Sequence, residues 1–116
     1  MHLPKIALDI LRSVPRRAGT DFVFDTGGGG FRSWGINTAK LRERMATVKT
    51  IPRWTLHDLR RTMRTGLGRL GVEPHIAELV IGHAKKGIVA IYDRHRYERE
   101  IAEALKIWAD HVSAII

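Results

Sequence analysis

The chain has 116 residues, near the size of one domain with a single hydrophobic core, and 44% of them are apolar, which argues against wholesale disorder. The 20 Lys and Arg exceed the 12 Asp and Glu, giving a net charge of +8 that is typical of nucleic-acid-binding domains but also of some merely basic soluble proteins. The absence of cysteine excludes disulfides, thiolate chemistry and cysteine-based metal sites, and no apolar run approaches the ~18–20 residues that a transmembrane helix needs.

The first third of the sequence predicts one helix followed by a loop. Pro4 suits a first helical turn and Pro15 ends the run. Residues 22–24 predict a short extended segment. The glycine run 27–30 predicts a flexible surface loop, because it lacks the Lys-Ser/Thr of a phosphate-binding P-loop. The apolar residues of the first helix recur near helical spacing at Leu3, Ile6, Ile10 and Leu11.

Two further helices are each preceded by a capping residue. Ser33 can cap the second helix, and Thr55 with Asp58 three residues later has the spacing of a capping box. Gly71 is a natural C-terminal stop for the third helix. The apolar positions of the second helix are Trp34, Leu41, Met45 and Val48, and those expected to point inward from the third are Leu56, Leu59, Met63, Leu67 and Leu70.

The last part of the chain predicts more helix. Pro74 opens a short fourth helix that Gly82 closes, residues 86–95 predict another short helix or a turn, and a final amphipathic helix starts at Tyr97. The fold class is therefore mainly α, with at most a short β element. The final helix is expected to bury Ile101, Leu105, Trp108, Val112 and Ile115, and Trp34 and Trp54 are also expected to be core residues.

One face of the third helix carries groups that bind phosphate well. His57 and Arg60 are three residues apart and therefore share a face, which Arg61 and Arg64 flank. The guanidinium of Arg can hold two phosphate oxygens at once, and a histidine can donate a hydrogen bond or move a proton near neutral pH. The H-x-x-R pattern is short, however, and by itself is more typical of a solvated basic face.

The segment after the third helix adds two more candidates. Gly82 allows a tight turn, so that His83 can approach the third helix, and Tyr92 stands nine residues further on. A tyrosine hydroxyl has an ordinary pKa of about 10 and is a poor nucleophile unless its site removes the proton. Two histidines and an arginine around one phosphate could do so and could also stabilise the charge that builds on phosphorus. Tyr97 is the rival nucleophile.

This constellation resembles the catalytic domain of tyrosine recombinases, the phage-integrase family. The similar segments are 56–62 (LHDLRRT), 81–83 (IGH) and 90–95 (AIYDRH), and the tail 92–112 is similar to integrases of satellite phages and genomic islands. The resemblance covers essentially the whole chain. It implies a compact helical bundle in which residues 1–116 form the C-terminal part of one catalytic domain.

The resemblance also implies a role for each matched residue. Tyr92 would attack a DNA phosphodiester and form a 3′-phosphotyrosyl link, Arg60 would hold the non-bridging oxygens, His57 would move the proton of the nucleophile, and His83 would hydrogen-bond the phosphate. It implies no cofactor, no metal and no membrane. It implies a bacterial or phage-encoded protein of the cytoplasm, associated with the nucleoid, that has double-stranded DNA as a partner. It also allows a homo-oligomer that exchanges C-terminal segments. The side chains expected to bind DNA phosphates are those of Arg60, Arg61, Arg64, Lys85 and Lys86.

Two elements of the family pattern have no match in this chain. One is an arginine in a G-x-R-x-x-E segment, and the other is a lysine on a β-hairpin that protonates the leaving 5′-oxygen; the N-terminal core-binding domain is also unmatched. Loss of one preorganised charge of this kind costs roughly 10²–10³ in rate. Because both groups and much of the DNA grip are unmatched, the chain alone is expected to be inactive.

Two alternative functions remain open at this stage. The first is a non-catalytic DNA-binding module that uses a helix-turn-helix outline over residues 55–81. The second is a basic interaction protein whose last helix docks on a partner. The recombinase interpretation requires His57, Arg60 and His83 to meet in one basic pocket, whereas a DNA-binding regulator has no need for that arrangement.

Overall fold

A computed structural model of the protein describes residues 3–25, 27, 29–83 and 95–116. Within these residues the chain forms five α-helices and no β-strand, which confirms the mainly α class. Residues 22–24, predicted as an extended element, form no strand. The helices are α1 (Lys5–Ser13), α2 (Trp34–Ala46), α3 (Leu56–Arg69), α4 (Pro74–Val80) and α5 (Glu98–Ser113).

The core lies where α3, α4 and α5 pack together. Leu67 of α3 is fully buried, and partly buried apolar side chains from all three helices and their connections surround it. Fully enclosed apolar side chains contribute about 1.5–3 kcal/mol each, so this small cluster carries much of the stability of the fold. Its buried members are Leu67, Ile76, Ala77 and Ala104, and the side chains packed on them are Met63, Val72, Leu79, Val80, Tyr97 and Trp108.

A glycine allows α3 and α5 to approach closely. A Cβ atom built on Gly66 would lie 2.2 Å from Cζ3 of Trp108, far inside normal contact distance. The indole of Trp108 therefore packs directly on the backbone of α3. Gly68, two residues later, has room for a Cβ atom, since its nearest neighbour would be a guanidinium nitrogen of Arg64 at 3.7 Å.

Several predictions of burial are wrong. Leu59 is 57% exposed and Leu56 is 40% exposed, because the buried contact of α3 lies in its second half, and Leu70, at the end of that helix, is 36% exposed. Ile115 is 70% exposed, since α5 ends at Ser113. Trp34 is also exposed. Helical spacing identifies an apolar side of a helix but does not say how far along that side a neighbouring helix reaches.

The helix ends follow their local signals with one exception. Asp58 accepts hydrogen bonds from the backbone N–H of Thr55 at 2.9 Å and from its hydroxyl at 2.8 Å, so the predicted capping box is present. Gly71 has a φ of 82° and ends α3, as predicted. Ser33 precedes α2 but makes no side-chain cap, because it adopts a left-handed backbone (φ 61°) rather than the extended one that a capping residue normally has.

Helices α1 and α2 lie outside the three-helix core, and neither contains a fully buried residue. A groove separates α1 from α5, and the apolar side chains of α2 remain largely exposed. The radius of gyration is 17.0 Å, above the value of about 13 Å expected for a tightly packed domain of this length. The bundle that the sequence predicts is therefore formed by α3, α4 and α5.

Candidate functional site

A cleft lies between the first half of α3 and the end of α4. Its volume is about 190 Å³, several times the share of about 30 Å³ that one water takes in the liquid, so a phosphate-sized group fits. His57, Arg60 and His83 all line it. The complete lining consists of His57, Arg60, Arg61, Arg64, Thr65, Glu78, Ile81 and His83.

Helical spacing explains how α3 contributes to the cleft. Positions 57, 60, 61 and 64 are three or four residues apart, so their side chains lie on one side of the helix. The capping box at Thr55 and Asp58 fixes the start of this helix. The hydrogen bonds from Thr55 hold the pKa of Asp58 below its ordinary value of 3.8, and the charge of Arg61 adds to the effect.

His83 reaches the cleft because α4 ends in a tight turn. Gly82 has a φ of 77°, its N–H donates to the carbonyl of Leu79 at 2.9 Å, and the N–H of His83 donates to the carbonyl of Glu78 at 2.9 Å. These two bonds define a Schellman motif, in which glycine takes the left-handed position at little cost. The turn reverses the chain and returns His83 to the last turn of α4.

Arg60 joins the two helices that form the cleft. Its Nη2 donates a hydrogen bond to the carbonyl of Ile81, one of the carbonyls that the end of α4 leaves without a helical partner. This bond uses one nitrogen of the guanidinium, whose other N–H groups remain able to donate. Arg61 pairs with Asp58 at 3.3 Å and is largely exposed, so it stands at the rim.

A carboxylate in the cleft was not predicted as a site residue. Glu78 accepts a hydrogen bond from Nε of Arg64 at 2.6 Å through Oε1, and its Oε2 lies 2.5 Å from Nδ1 of His83. The bonds from Arg64 and then His83 lower the pKa of Glu78 from its ordinary value of 4.5. Three guanidiniums and one carboxylate therefore line the cleft, which remains electropositive.

Known proteins give no further guide to this site. No family model, curated protein or solved structure matches the chain. The assignment of the cleft therefore depends on its own geometry and charge. Among the described residues, no three histidine or acidic side chains are placed to hold a metal ion together, and no helix is long and apolar enough to cross a membrane.

Three of the predicted site residues lie outside the described residues, namely Tyr92, Lys85 and Lys86. Their roles stay predictions. The rival nucleophile Tyr97 is described, and it packs on the core with its ring against those of His75 and His95, at centroid distances of 5.3 and 4.4 Å. Tyr97 is not among the residues that line the cleft.

Proposed function

We propose that the cleft binds a phosphate of double-stranded DNA, and that the protein belongs to a site-specific recombination system that cuts and rejoins DNA through Tyr92. The observation that carries this proposal is that His83, which follows the end of α4, shares one electropositive cleft with His57 and Arg60 of α3. A basic surface without a catalytic role needs no such meeting of two imidazoles and a guanidinium.

The helix-turn-helix alternative is less well supported. In that arrangement the second helix reads DNA, and it needs polar or basic side chains on an open face. Helix α4 has only seven residues (PHIAELV) and no Arg or Lys, and it buries Ile76 and Ala77. Its acidic side chain Glu78 is held by Arg64. The pair α3–α4 therefore favours a phosphate cleft over a DNA-reading helix.

The reaction assigns a separate task to each group. A bond forms between Oη of Tyr92 and phosphorus while the bond from phosphorus to the 5′-oxygen breaks. His57 takes the tyrosine proton, and Arg60 and His83 stabilise the charge on the non-bridging oxygens. The leaving 5′-oxygen must gain a proton, and no residue of this sequence matches the lysine that supplies it in tyrosine recombinases. We therefore expect slow reaction, or none, with an ordinary phosphodiester.

An activated substrate removes that requirement. DNA duplexes of randomised sequence would carry a para-nitrophenyl ester on a 3′-phosphate, because this phenol is acidic enough to leave without gaining a proton. Attack by Tyr92 then links the chain covalently to the 3′ end and releases the phenolate. The adduct is detected as a labelled band on a denaturing gel.

The expected result is an adduct with the wild-type chain and with Tyr97→Phe, and none with Tyr92→Phe. The Tyr97 variant is the matched control because it removes the same hydroxyl from the rival position. An adduct that persists in Tyr92→Phe assigns the nucleophile to another residue. Absence of adduct from the wild type, while it still binds the duplexes, contradicts the proposed chemistry.

A further inference from the structure

Glu78 occupies a position in the cleft that the proposed reaction does not itself require. It lies on α4, and its two carboxylate oxygens are used separately, one by Nε of Arg64 and the other by Nδ1 of His83. A carboxylate weakens an anion site by repulsion, so its presence here calls for a separate role. The hydrogen bonds of its two oxygens to different partners indicate that role.

The bond to His83 determines where the imidazole hydrogen lies. An ionised carboxylate can only accept hydrogen bonds, and Arg64, which can only donate, already holds the other oxygen. The short contact at Oε2 therefore requires the hydrogen on Nδ1 of His83. Nε2 is then the ring nitrogen left for the cleft, since no hydrogen bond joins it to any residue that the structure describes.

We propose that Glu78 is a positioning residue, which fixes the hydrogen of His83 on Nδ1 and so presents Nε2 of His83 to the phosphate in the cleft. This inference rests on the proposed phosphate site. In the neutral ring Nε2 is then an acceptor, able to take a hydrogen from an attacking hydroxyl. In the protonated ring Nε2–H is a donor to a phosphate oxygen, and the carboxylate balances the added charge.

The remaining charged groups of the cleft do not provide this orientation. His57, Arg60, Arg61 and Arg64 face His83 from α3, and Glu78 faces it from α4. The arginines only donate and cannot accept a hydrogen from Nδ1, and the hydrogen bond that Nδ1 makes is to Glu78 rather than to His57. Within the described residues, Glu78 is therefore the side chain that orients the ring of His83.

The substitution Glu78→Gln tests the proposal with almost no change of shape. Because Arg64 only donates, the amide oxygen of the new side chain must face Arg64, and its NH₂ group must face Nδ1 of His83. Nδ1 then has to be an acceptor, so the hydrogen moves to Nε2. Glu73→Gln is the matched control, because Glu73 lies on the N-terminal side of the same helix and does not line the cleft.

The first measurement is the nitrogen NMR spectrum of the histidine rings at a pH where they are neutral. We expect His83 to carry its hydrogen on Nδ1 in the wild type and in Glu73→Gln, and on Nε2 in Glu78→Gln. The same tautomer in all three proteins overturns the proposal. Circular dichroism of each variant shows that the helices are retained.

The second measurement is the affinity for sulfate, whose charge stays constant as the pH is lowered from about 8 to about 6, the range in which histidine ordinarily gains its proton. We expect wild-type affinity to rise over this range, and the rise to be smaller in Glu78→Gln, because the amide NH₂ opposes a hydrogen on Nδ1 of His83 whereas His57 is unchanged. An equal rise in both proteins contradicts the proposal.

A role for Glu78 limited to joining α3 and α4 predicts a different result. In that case Glu78→Gln changes the unfolding temperature without changing sulfate binding by the folded protein. An effect of Glu78→Gln on the unfolding temperature that persists in a His83→Gln background indicates that role. Both readouts are independent of Tyr92. A shifted tautomer without any DNA adduct therefore supports the role of Glu78 and overturns only the recombination chemistry.

Discussion

The contact between Gly66 and the indole of Trp108 gives a prediction that two isomeric variants can test. Gly66→Ala places a methyl group 2.2 Å from Cζ3 of Trp108, whereas the nearest atom to the corresponding group in Gly68→Ala is a guanidinium nitrogen at 3.7 Å. Carbon atoms pack best at about 3.5–4.0 Å, so in Gly66→Ala the helices must separate by about 1 Å or more, or Trp108 must move.

The magnitude follows from two opposing terms. Replacing a helical glycine by alanine stabilises a helix by up to about 1 kcal/mol, in both variants. Overpacking a well-packed contact costs about 1–3 kcal/mol, and only Gly66→Ala meets that cost. We therefore expect Gly68→Ala to be more stable than the wild type and Gly66→Ala to be less stable, with about 2 kcal/mol between them.

Thermal unfolding followed by far-ultraviolet circular dichroism measures the difference. At this chain length about 2 kcal/mol corresponds to roughly 10 °C in unfolding temperature. The two variants have the same composition and make the same change in the unfolded chain, so the comparison isolates the contact with Trp108. Equal stabilisation of both variants would refute the packing of α5 on α3 described above.

Two further predictions concern charge. Glu78 has a lowered pKa, so its contribution to stability is present above its ordinary value of 4.5 and is lost as the pH falls through the lower folded-state pKa. Urea unfolding at a series of pH values should show that Glu78→Gln loses less stability in acid than the wild type and keeps the part of the loss due to Asp58. Glu73→Gln should lose as much stability in acid as the wild type. DNA binding should be weak and strongly salt-dependent, and Arg60→Gln should reduce the slope of log affinity against log salt by about 1, as loss of one phosphate contact does. Arg44→Gln on α2 is the control for retained slope, and a salt-independent gel shift would contradict the electrostatic account.

The helix boundaries were predictable because their signals are local. The capping pair Thr55 and Asp58 and the stop glycines Gly71 and Gly82 depend only on residues within one turn of the chain. Ser33 shows the limit of this reasoning, since its type suits a cap but its left-handed backbone prevents the bond. Burial was less predictable, because the exposure of Leu59 depends on how far along α3 its partner helices reach.

The candidate site was predictable in its donors but not in its carboxylate. The spacing of His57 and Arg60 and the Gly-His turn identify three groups that the structure brings to one cleft. Glu78 has no signal of that kind, because its partners are set by the turn that returns His83 to it and by the packing of α4 beside Arg64. A carboxylate one turn before a stop glycine, opposite a basic helix face, is the pattern that could have indicated it.

The position at which an anion binds is the most direct test of the phosphate cleft. Crystals of the protein grown with tungstate, a phosphate analogue with strong anomalous scattering, would locate it without reference to any DNA sequence. We predict one tungstate in the cleft, with its oxygens within hydrogen-bonding distance, about 2.7–3.2 Å, of the guanidinium of Arg60 and Nε2 of His83. A cleft that stays empty at saturating tungstate, or an anion bound there that touches neither residue, would contradict the account.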